Sequence, residues 1–162
     1  MSHESRLSKE LRALLNARRV AALGTIGDDG APFVSMVPFA IEQHLRCLVI
    51  HVSALASHTH NLQARAPVSL LVMQPEAPGE PVHALPRVTL QGRATVLERE
   101  SPQWGACKEA YVARFPEAQP MTEFGDFMFV AIEVSSAHQV AGFGVARSMD
   151  AQEVLLALGP ND

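Results

Sequence analysis

The sequence predicts a mainly β fold, a small barrel with peripheral helices. Three observations indicate this class. Short apolar segments of strand type recur along the chain, turn signals rich in Gly, Pro or Asp separate most of them, and few segments show helical spacing of apolar residues. The 162 residues show no internal repeat and no shift in composition, so residues 1–162 are expected to form one domain.

The N-terminal part predicts one helix and three strands. Leucines at helical spacing indicate an amphipathic helix within residues 1–19 that ends near Arg18. The sequence GDDG at 27–30 is a hairpin signal, and Glu42-Gln43-His44 marks a second tight turn. The strands around these turns are expected to pair in order as a meander, and they are predicted over 20–26, 31–41 and 45–52.

The rest of the chain alternates helices with further strands. Strands are predicted over 68–73, 87–97, 127–134 and 138–140, and helices over 54–66, from Ser101-Pro102 onwards, and near 150–158 within a C-terminal segment 147–162. Residues 74–86 contain four prolines and are expected to form a long loop, which beside a cofactor would suit a lid.

The helix that begins at Ser101-Pro102 has the residue types usual at an N-cap and first helical position. Four bulky or apolar side chains follow at helical spacing, a pattern more typical of a buried face than of cofactor contacts. They are Trp104, Cys107, Tyr111 and Phe115.

Composition excludes several classes of protein. The formal net charge of −4 gives no basic surface, so nucleic acid is not an expected partner. Two cysteines make no disulfide framework, which favours a reducing compartment. Residues 1–19 are charged and amphipathic and lack the apolar core that a signal peptide needs. No apolar run approaches the ~20 residues that span a bilayer, so no membrane is expected and the location is predicted to be cytoplasmic.

The segment 49–71 carries the strongest sign of a ligand site. An apolar strand leads into a turn and a short helix, and the turn holds Ser53, Ser57, His58, Thr59 and His60. The free N–H groups and the dipole of a helix N-terminus favour an anion such as phosphate. The alternative is that Ser57 or Thr59 is an N-cap and no ligand is involved.

Other motifs of known chemistry are missing. There is no paired-carboxylate, nucleophile-elbow, phosphate-loop or dinucleotide motif, and Gly142-Phe143-Gly144 taken alone is a turn. His58 and His60 point apart on a helix, and neighbouring ligands are lacking, so no metal site is predicted.

Several local motifs occur in the order of one known family. They are LASHTHNL at 55–62, PVSLL at 67–71, RVTLQGRA at 87–94, YVARFP at 111–116, DF at 126–127 and GFGVA at 142–146. Each is weak singly, but their order over residues 20–146 resembles the FMN-binding split-barrel family, which includes pyridoxamine 5′-phosphate oxidase. Within it the chain looks most like the haem-utilisation branch.

The resemblance implies a six-stranded antiparallel split barrel, a homodimer, and two FMN sites at the subunit interface. It therefore implies a flavoprotein that oxidises or reduces an unidentified small molecule. Arg87 falls at a flavin-contacting position, although a solvated arginine at a strand end is the alternative. The residues implied in cofactor binding are Ser35, Met36, Val37, Pro38, Ser53, Ser57, His58, Thr59 and Arg87.

The chain departs from true pyridoxamine-phosphate oxidases at the positions that carry charge. Ser35 and Ala40 stand where those enzymes have basic residues, and the Arg-x-His signature has no counterpart after Gly144. A phosphorylated B6 substrate needs fixed positive charge, so that activity is not expected. His58 stands where a permanent cation is usual, which predicts weak FMN binding.

Two alternatives remain open at this point. The haem-utilisation branch implies a haem-binding or haem-degrading protein, for which His138 is a candidate ligand and Asp126 a residue that orients it. A strand histidine is more often structural, and a loop aspartate is more often a turn residue. The second alternative is a non-enzymatic interaction protein on the same barrel whose flavin site has decayed.

Overall fold

The structure, a computed structural model, describes residues 4–161. The strands in that range are Val20–Ile26 (β1), Pro32–Pro38 (β2), Ala40–Glu42 (β3), Cys47–Ser53 (β4), Pro67–Met73 (β5), Arg87–Val96 (β6), Phe127–Gly142 (β7) and Val145–Asp150 (β8). The α-helices are Arg6–Ala17 (α1), Ser57–Ala64 (α2), Pro102–Arg114 (α3) and Ala151–Leu158 (α4), with 3-10 turns at Val82–Ala84 and Pro116–Glu123.

The strands form one curled antiparallel sheet in the order β2-β1-β5-β6-β7-β4-β3, with β8 paired to β7. The split-barrel class is thereby confirmed, and the predicted meander of the first three strands is confirmed in part. β1 pairs with β2, and β3, which holds the end of the strand predicted over 31–41, pairs with β4. β2 itself does not pair with β4, whose other edge pairs with β7. Nearly every residue of β4 is buried. The strand therefore needs a paired strand at each edge and packed side chains on each face.

The strand count is eight within residues 4–161, where the family resemblance implies six. The strand predicted over 31–41 is interrupted at Phe39, whose N–H donates to the Arg19 carbonyl outside the ladder. The segments 127–134 and 138–140 join into the continuous β7. β8 was missed: Gly142 and Gly144, both at positive φ, turn the chain back so that 145–150 pairs with β7.

The long pairing of β6 with β7 contains a bulge between Gln91 and Gly92. A side-chain carbon at Gly92 would overlap the backbone of Glu133 on the facing strand. Glycine is therefore required at this point, where the two long strands bend to curl the sheet.

Two hydrophobic clusters lie on opposite sides of the sheet. The larger one fills the curl of the barrel and includes side chains from α1 and α4. The smaller one lies under α3, whose predicted apolar face is confirmed as core: Trp104, Cys107, Tyr111 and Phe115 are all buried. Ser101 caps this helix as predicted, accepting from the Trp104 N–H at 3.2 Å.

Arginine side chains fix α1 across the end of the barrel. Arg114 of α3 donates to the carbonyls of Asn16 and Arg18, where α1 ends and its last carbonyls lack helical partners. Arg12 donates to the Leu156 carbonyl of α4 at 2.9 Å. The helices α1 and α4 thus lie together at the same barrel end. Within residues 4–161 no helix is long and apolar enough to cross a bilayer.

His51 of β4 is buried in the smaller cluster among aromatic rings. Its ring centroid lies 4.4 Å from that of Phe129 and 5.1 Å from that of Phe127. Nδ1 is buried and has no hydrogen-bond partner. Burial, with a smaller contribution from the nearby charge of Arg99, lowers the pKa of His51 from 6.5 to about 4.

This burial should make stability depend on pH. In the unfolded chain His51 takes up a proton near pH 6.5, but in the folded chain only near pH 4, so acid favours unfolding between those values. We expect the free energy of unfolding, measured in urea, to fall by about 3 kcal/mol from this group as pH drops from 7 to 4. His51→Phe should remove that part of the slope, whereas His44→Gln, in an exposed turn, should keep it; equal slopes in the two variants would contradict the assignment.

Candidate functional site

The N-terminus of α2 meets strand β2 at one edge of the sheet. Ser35 of β2 and His58 of α2 approach so that Ser35 Oγ and His58 Nδ1 lie 2.9 Å apart. Both side chains are half-buried, and Ser57 beside them is exposed. The structure thus brings together three of the residues predicted to bind a cofactor, from segments that are 23 positions apart.

His58 is an uncharged base in this setting. Burial lowers its pKa below 6.5, so the imidazole is neutral at pH 7. In the tautomer with its proton on Nδ1, the ring donates to Ser35 Oγ and keeps the lone pair on Nε2. A hydrogen bond that fixes one ring nitrogen and frees the other is the arrangement found in histidines that ligate metals.

The turn before α2 does not have the predicted capping. The N-cap is Ala56, which makes no side-chain hydrogen bond, so neither Ser57 nor Thr59 is the cap. Thr59 is fully buried and its hydroxyl donates to the Ser53 carbonyl at 2.6 Å. Ser53 Oγ accepts from the Leu55 N–H at 3.2 Å. The hydroxyls of Ser53 and Thr59 thus shape the turn instead of facing outward.

A second polar cluster, which the sequence did not indicate, holds α2 against the β1–β2 hairpin. Asp28 in the hairpin accepts from Arg65 at 2.6 Å and lies 2.9 Å from Nε2 of His60. The Arg65 hydrogen bond, followed by that of His60, lowers the pKa of Asp28. His60 therefore faces away from His58, toward the hairpin.

The buried side of α2 is fixed to the same hairpin. Asn61 Nδ2 donates to Thr25 Oγ1 at 3.1 Å, and both side chains are buried. A buried hydrogen bond of this kind sets the position of the helix, because neither group has water to replace its partner. The only advance signal was the GDDG turn at 27–30, since pairing between a turn and a later helix leaves no spacing pattern in the sequence.

The other predicted residues of β2 divide between the two sides of the strand. Val37 is buried in the large core cluster and Pro38 is half-buried at the strand end. Met36 is 64% exposed and points to the side opposite Ser35. Of the four predicted β2 positions, Ser35 is the one whose side chain hydrogen-bonds to α2.

Arg87 lies apart from this site. It is at the start of β6, which β1 and β5 separate from β2, about 14 Å across the sheet at the usual strand spacing. Its guanidinium donates to the Leu85 carbonyl at 2.9 Å and, more weakly, to the His83 carbonyl. Within one chain, Arg87 and His58 do not belong to one cluster.

Within one chain the structure does not bring Asp126 and His138 together. Asp126 immediately precedes β7 and His138 is the twelfth residue of that strand, a separation of ~40 Å along extended chain. The Asp126 carbonyl instead accepts from Ala54 N–H at 2.7 Å, near the start of α2. His138 is exposed on β7 between Thr89 and Ser148 of the flanking strands.

The comparisons agree with this fold. A family model described as pyridoxamine 5′-phosphate oxidase matches residues 7–141. Heme oxygenase HutZ of Vibrio cholerae serotype O1 is 26% identical over 153 residues, which cover 94% of this chain and 86% of HutZ. The non-canonical heme oxygenase HOZ, chloroplastic, of Arabidopsis thaliana is 34% identical over 152 residues, 90% of this chain; the chain spans only 45% of HOZ.

Solved structures are similar over most of the chain. A heme binding protein from Mycobacterium smegmatis matches with a TM-score of 0.84 at 25% identity, covering 96% of this chain and 62% of that one. The crystal structure of HutZ from Vibrio cholerae, described as a haem storage protein, has a TM-score of 0.71 at 27% identity and covers 79% and 89% of the two chains. This chain therefore belongs to the pyridoxamine 5′-phosphate oxidase family, on its haem-utilisation branch.

Proposed function

We propose that this chain binds haem at the surface formed by β2 and the start of α2, with Nε2 of His58 directed to the iron. The observation that carries the proposal is the neutral, half-buried imidazole of His58, held through Nδ1 by Ser35. A neutral imidazole is a good ligand for haem iron but a poor holder of phosphate.

The other histidines within residues 4–161 suit the iron less well. His44 and His83 are exposed in the turns that connect strands. His51 is enclosed by aromatic rings and has no path to a bulky ligand. Nε2 of His60 is taken by Asp28. His138, the earlier candidate, lies exposed on β7 without the predicted carboxylate partner. His58 is the residue that combines partial burial, a fixed ring and a free nitrogen.

The surroundings of His58 also suit a large apolar ring. Phe33, on the same side of β2 as Ser35, is 41% exposed, and Leu55 in the turn before α2 is 88% exposed. Exposed apolar side chains next to a polar anchor are typical of ligand surfaces. A porphyrin would cover both of these side chains while its iron meets the imidazole.

FMN, the main expectation from the family resemblance, has weaker support. Family membership favours it, but the segment 53–60 contains no lysine or arginine to neutralise a phosphate. Arg65, the nearest arginine along the chain, is paired with Asp28 and the Ile26 carbonyl. The turn 53–60 would have to hold the FMN phosphate, a dianion, with two backbone N–H groups, a hydroxyl and a neutral imidazole.

The relatives extend the proposal to haem degradation. Two curated relatives are named heme oxygenases, and we carry that reaction class to this chain as part of the proposal. Haem, when bound, supplies the iron at which O2 reacts. The chain's own contribution would be to hold the ring, keep Nε2 unprotonated through burial, and fix the imidazole plane through Ser35.

A haem titration of the full chain tests this site. We expect a Soret band that saturates at one haem per chain, and His58→Ala should weaken binding by about tenfold or more and shift the band, since a ligand to iron is lost. His60→Ala is the matched control, because it removes an imidazole two residues away that faces Asp28.

Ser35→Ala should weaken haem binding less than His58→Ala does. It keeps the imidazole that ligates the iron but removes the hydrogen bond that fixes the ring. The proposal would be overturned if the His58 and His60 variants bound haem alike. It would also be overturned if the chain gave no Soret band but quenched FMN fluorescence.

We further propose that two copies of the chain pair through β2. This strand ends the sheet and its outer edge has no strand partner within residues 4–161. Val34 is 67% and Met36 64% exposed, side by side on the face away from Ser35. An exposed apolar edge strand is usually covered, and a second copy is the occupant that the family resemblance implies.

Sedimentation of a Val34→Glu, Met36→Glu double variant tests the pairing. We expect a dimer for the parent chain at tens of micromolar and a monomer for the double variant, since burying two carboxylates opposes association. Leu156→Glu, an equally exposed apolar position on α4, should stay dimeric. A monomeric parent chain, or dissociation in both variants, would contradict this interface.

A further inference from the structure

A cavity lies beside α1, away from the proposed haem surface on β2 and α2. It has a volume of about 530 Å³ and lies between the C-terminal half of α1, both ends of the 74–86 loop and the end of β7. Its apolar walls include Leu14, Pro75, Pro86 and Val140. None of the residues that line it belongs to β2 or α2, so it is a separate site.

One arginine lines this cavity without a protein partner for its side chain. Arg18 is half-buried on the wall, and its Nε, which is closed to solvent, has no hydrogen-bond acceptor within residues 4–161. No ion pair involves Arg18 in the part of the chain that the structure describes. Because Nε is closed to solvent, the terminal nitrogens are the part of the guanidinium that can meet a ligand in the cavity, and an anion is the ligand they favour.

The backbone holds Arg18 in this position. Its N–H donates to the Leu14 carbonyl and closes α1, and its carbonyl accepts from Arg114. These two contacts fix the backbone position from which the Arg18 side chain extends.

The other charged group of the cavity and one of its two glutamines are already engaged. The Glu10 carboxylate pairs with Arg6 at 3.0 Å. The Gln139 side chain donates to the Leu7 carbonyl at 3.0 Å and accepts from Arg147 at 3.0 Å. Arg18 is therefore the charged group available to a ligand, and the ligand it favours is an anion.

We propose that this cavity binds a small organic carboxylate with an apolar chain or ring. The carboxylate pairs with the Arg18 guanidinium, which matches its two oxygens in a bidentate hydrogen bond. The apolar part lies along Leu14, Pro75, Pro86 and Val140. A volume of about 530 Å³ is within the ordinary range of small-molecule sites, with room for a chain of about eight carbons.

Titration of the full chain with octanoate, followed by amide NMR and calorimetry, tests the site. We expect one saturable site whose shifts concentrate at Ala13, Ala17, Val140 and Ala141, which line the cavity. 1-Octanol, which lacks the charge, should bind about tenfold more weakly. Arg18→Gln should weaken the binding of octanoate by a similar factor, so that its affinity equals that of 1-octanol for the parent chain.

Arg19→Gln is the matched control, because it removes the same charge one residue along from a side chain that pairs with Glu117. It should leave octanoate binding unchanged. Equal affinities for octanoate and octanol, equal effects of the two arginine variants, or shifts centred on β2 and α2 would each overturn the proposal. The comparison of the two probes on the parent chain decides the question even if Arg18→Gln fails to fold.

Discussion

The architecture depends on the single 16-residue strand β7. It pairs with β4, β6 and β8, and its two faces supply both hydrophobic clusters, Ile132 and Val134 to the larger and Phe129 to the smaller. Such a strand must bend to serve three partners, and the bulge opposite Gln91 and Gly92, whose extra residue is Ser135 of β7, supplies that bend. The barrel, and hence the position of every surface site, follows from this pairing.

The sequence predicted the fold class and most elements because periodic burial and turn residues are local signals. α3 is the clearest case, since Ser101, Pro102 and the apolar face each appear in consecutive residues. Partner choice is a long-range property, and so the pairing of β4 with β7 escaped prediction. The sequence also did not predict that the segments 127–134 and 138–140 join into one strand. Ser135 and Ser136 between them are weak strand formers, and their hydrogen bonds to Gln91 of β6 hold them in the sheet.

The candidate site was predictable in residue types and not in geometry. The segment 53–60 indicated a ligand turn, but two of its hydroxyls, on Ser53 and Thr59, stabilise the turn itself. The contact between Ser35 and His58 depends on how α2 lies against the hairpin. That position is set by Asp28, Arg65 and the buried Asn61. Asp28 and Asn61 lie in motifs that the sequence showed, but neither motif indicates these contacts. Because of these contacts between distant segments, the turn that suggested a phosphate site presents a half-buried, neutral His58 imidazole held by Ser35.

The most direct measurement is a competition for the site between the two cofactors. The full chain is dialysed to equilibrium against equimolar haem and FMN, and the visible spectrum of the protein compartment is recorded. The account predicts a Soret band with about one haem per chain and no flavin band above the free concentration. A protein compartment enriched in flavin, with haem at its free concentration, would contradict it.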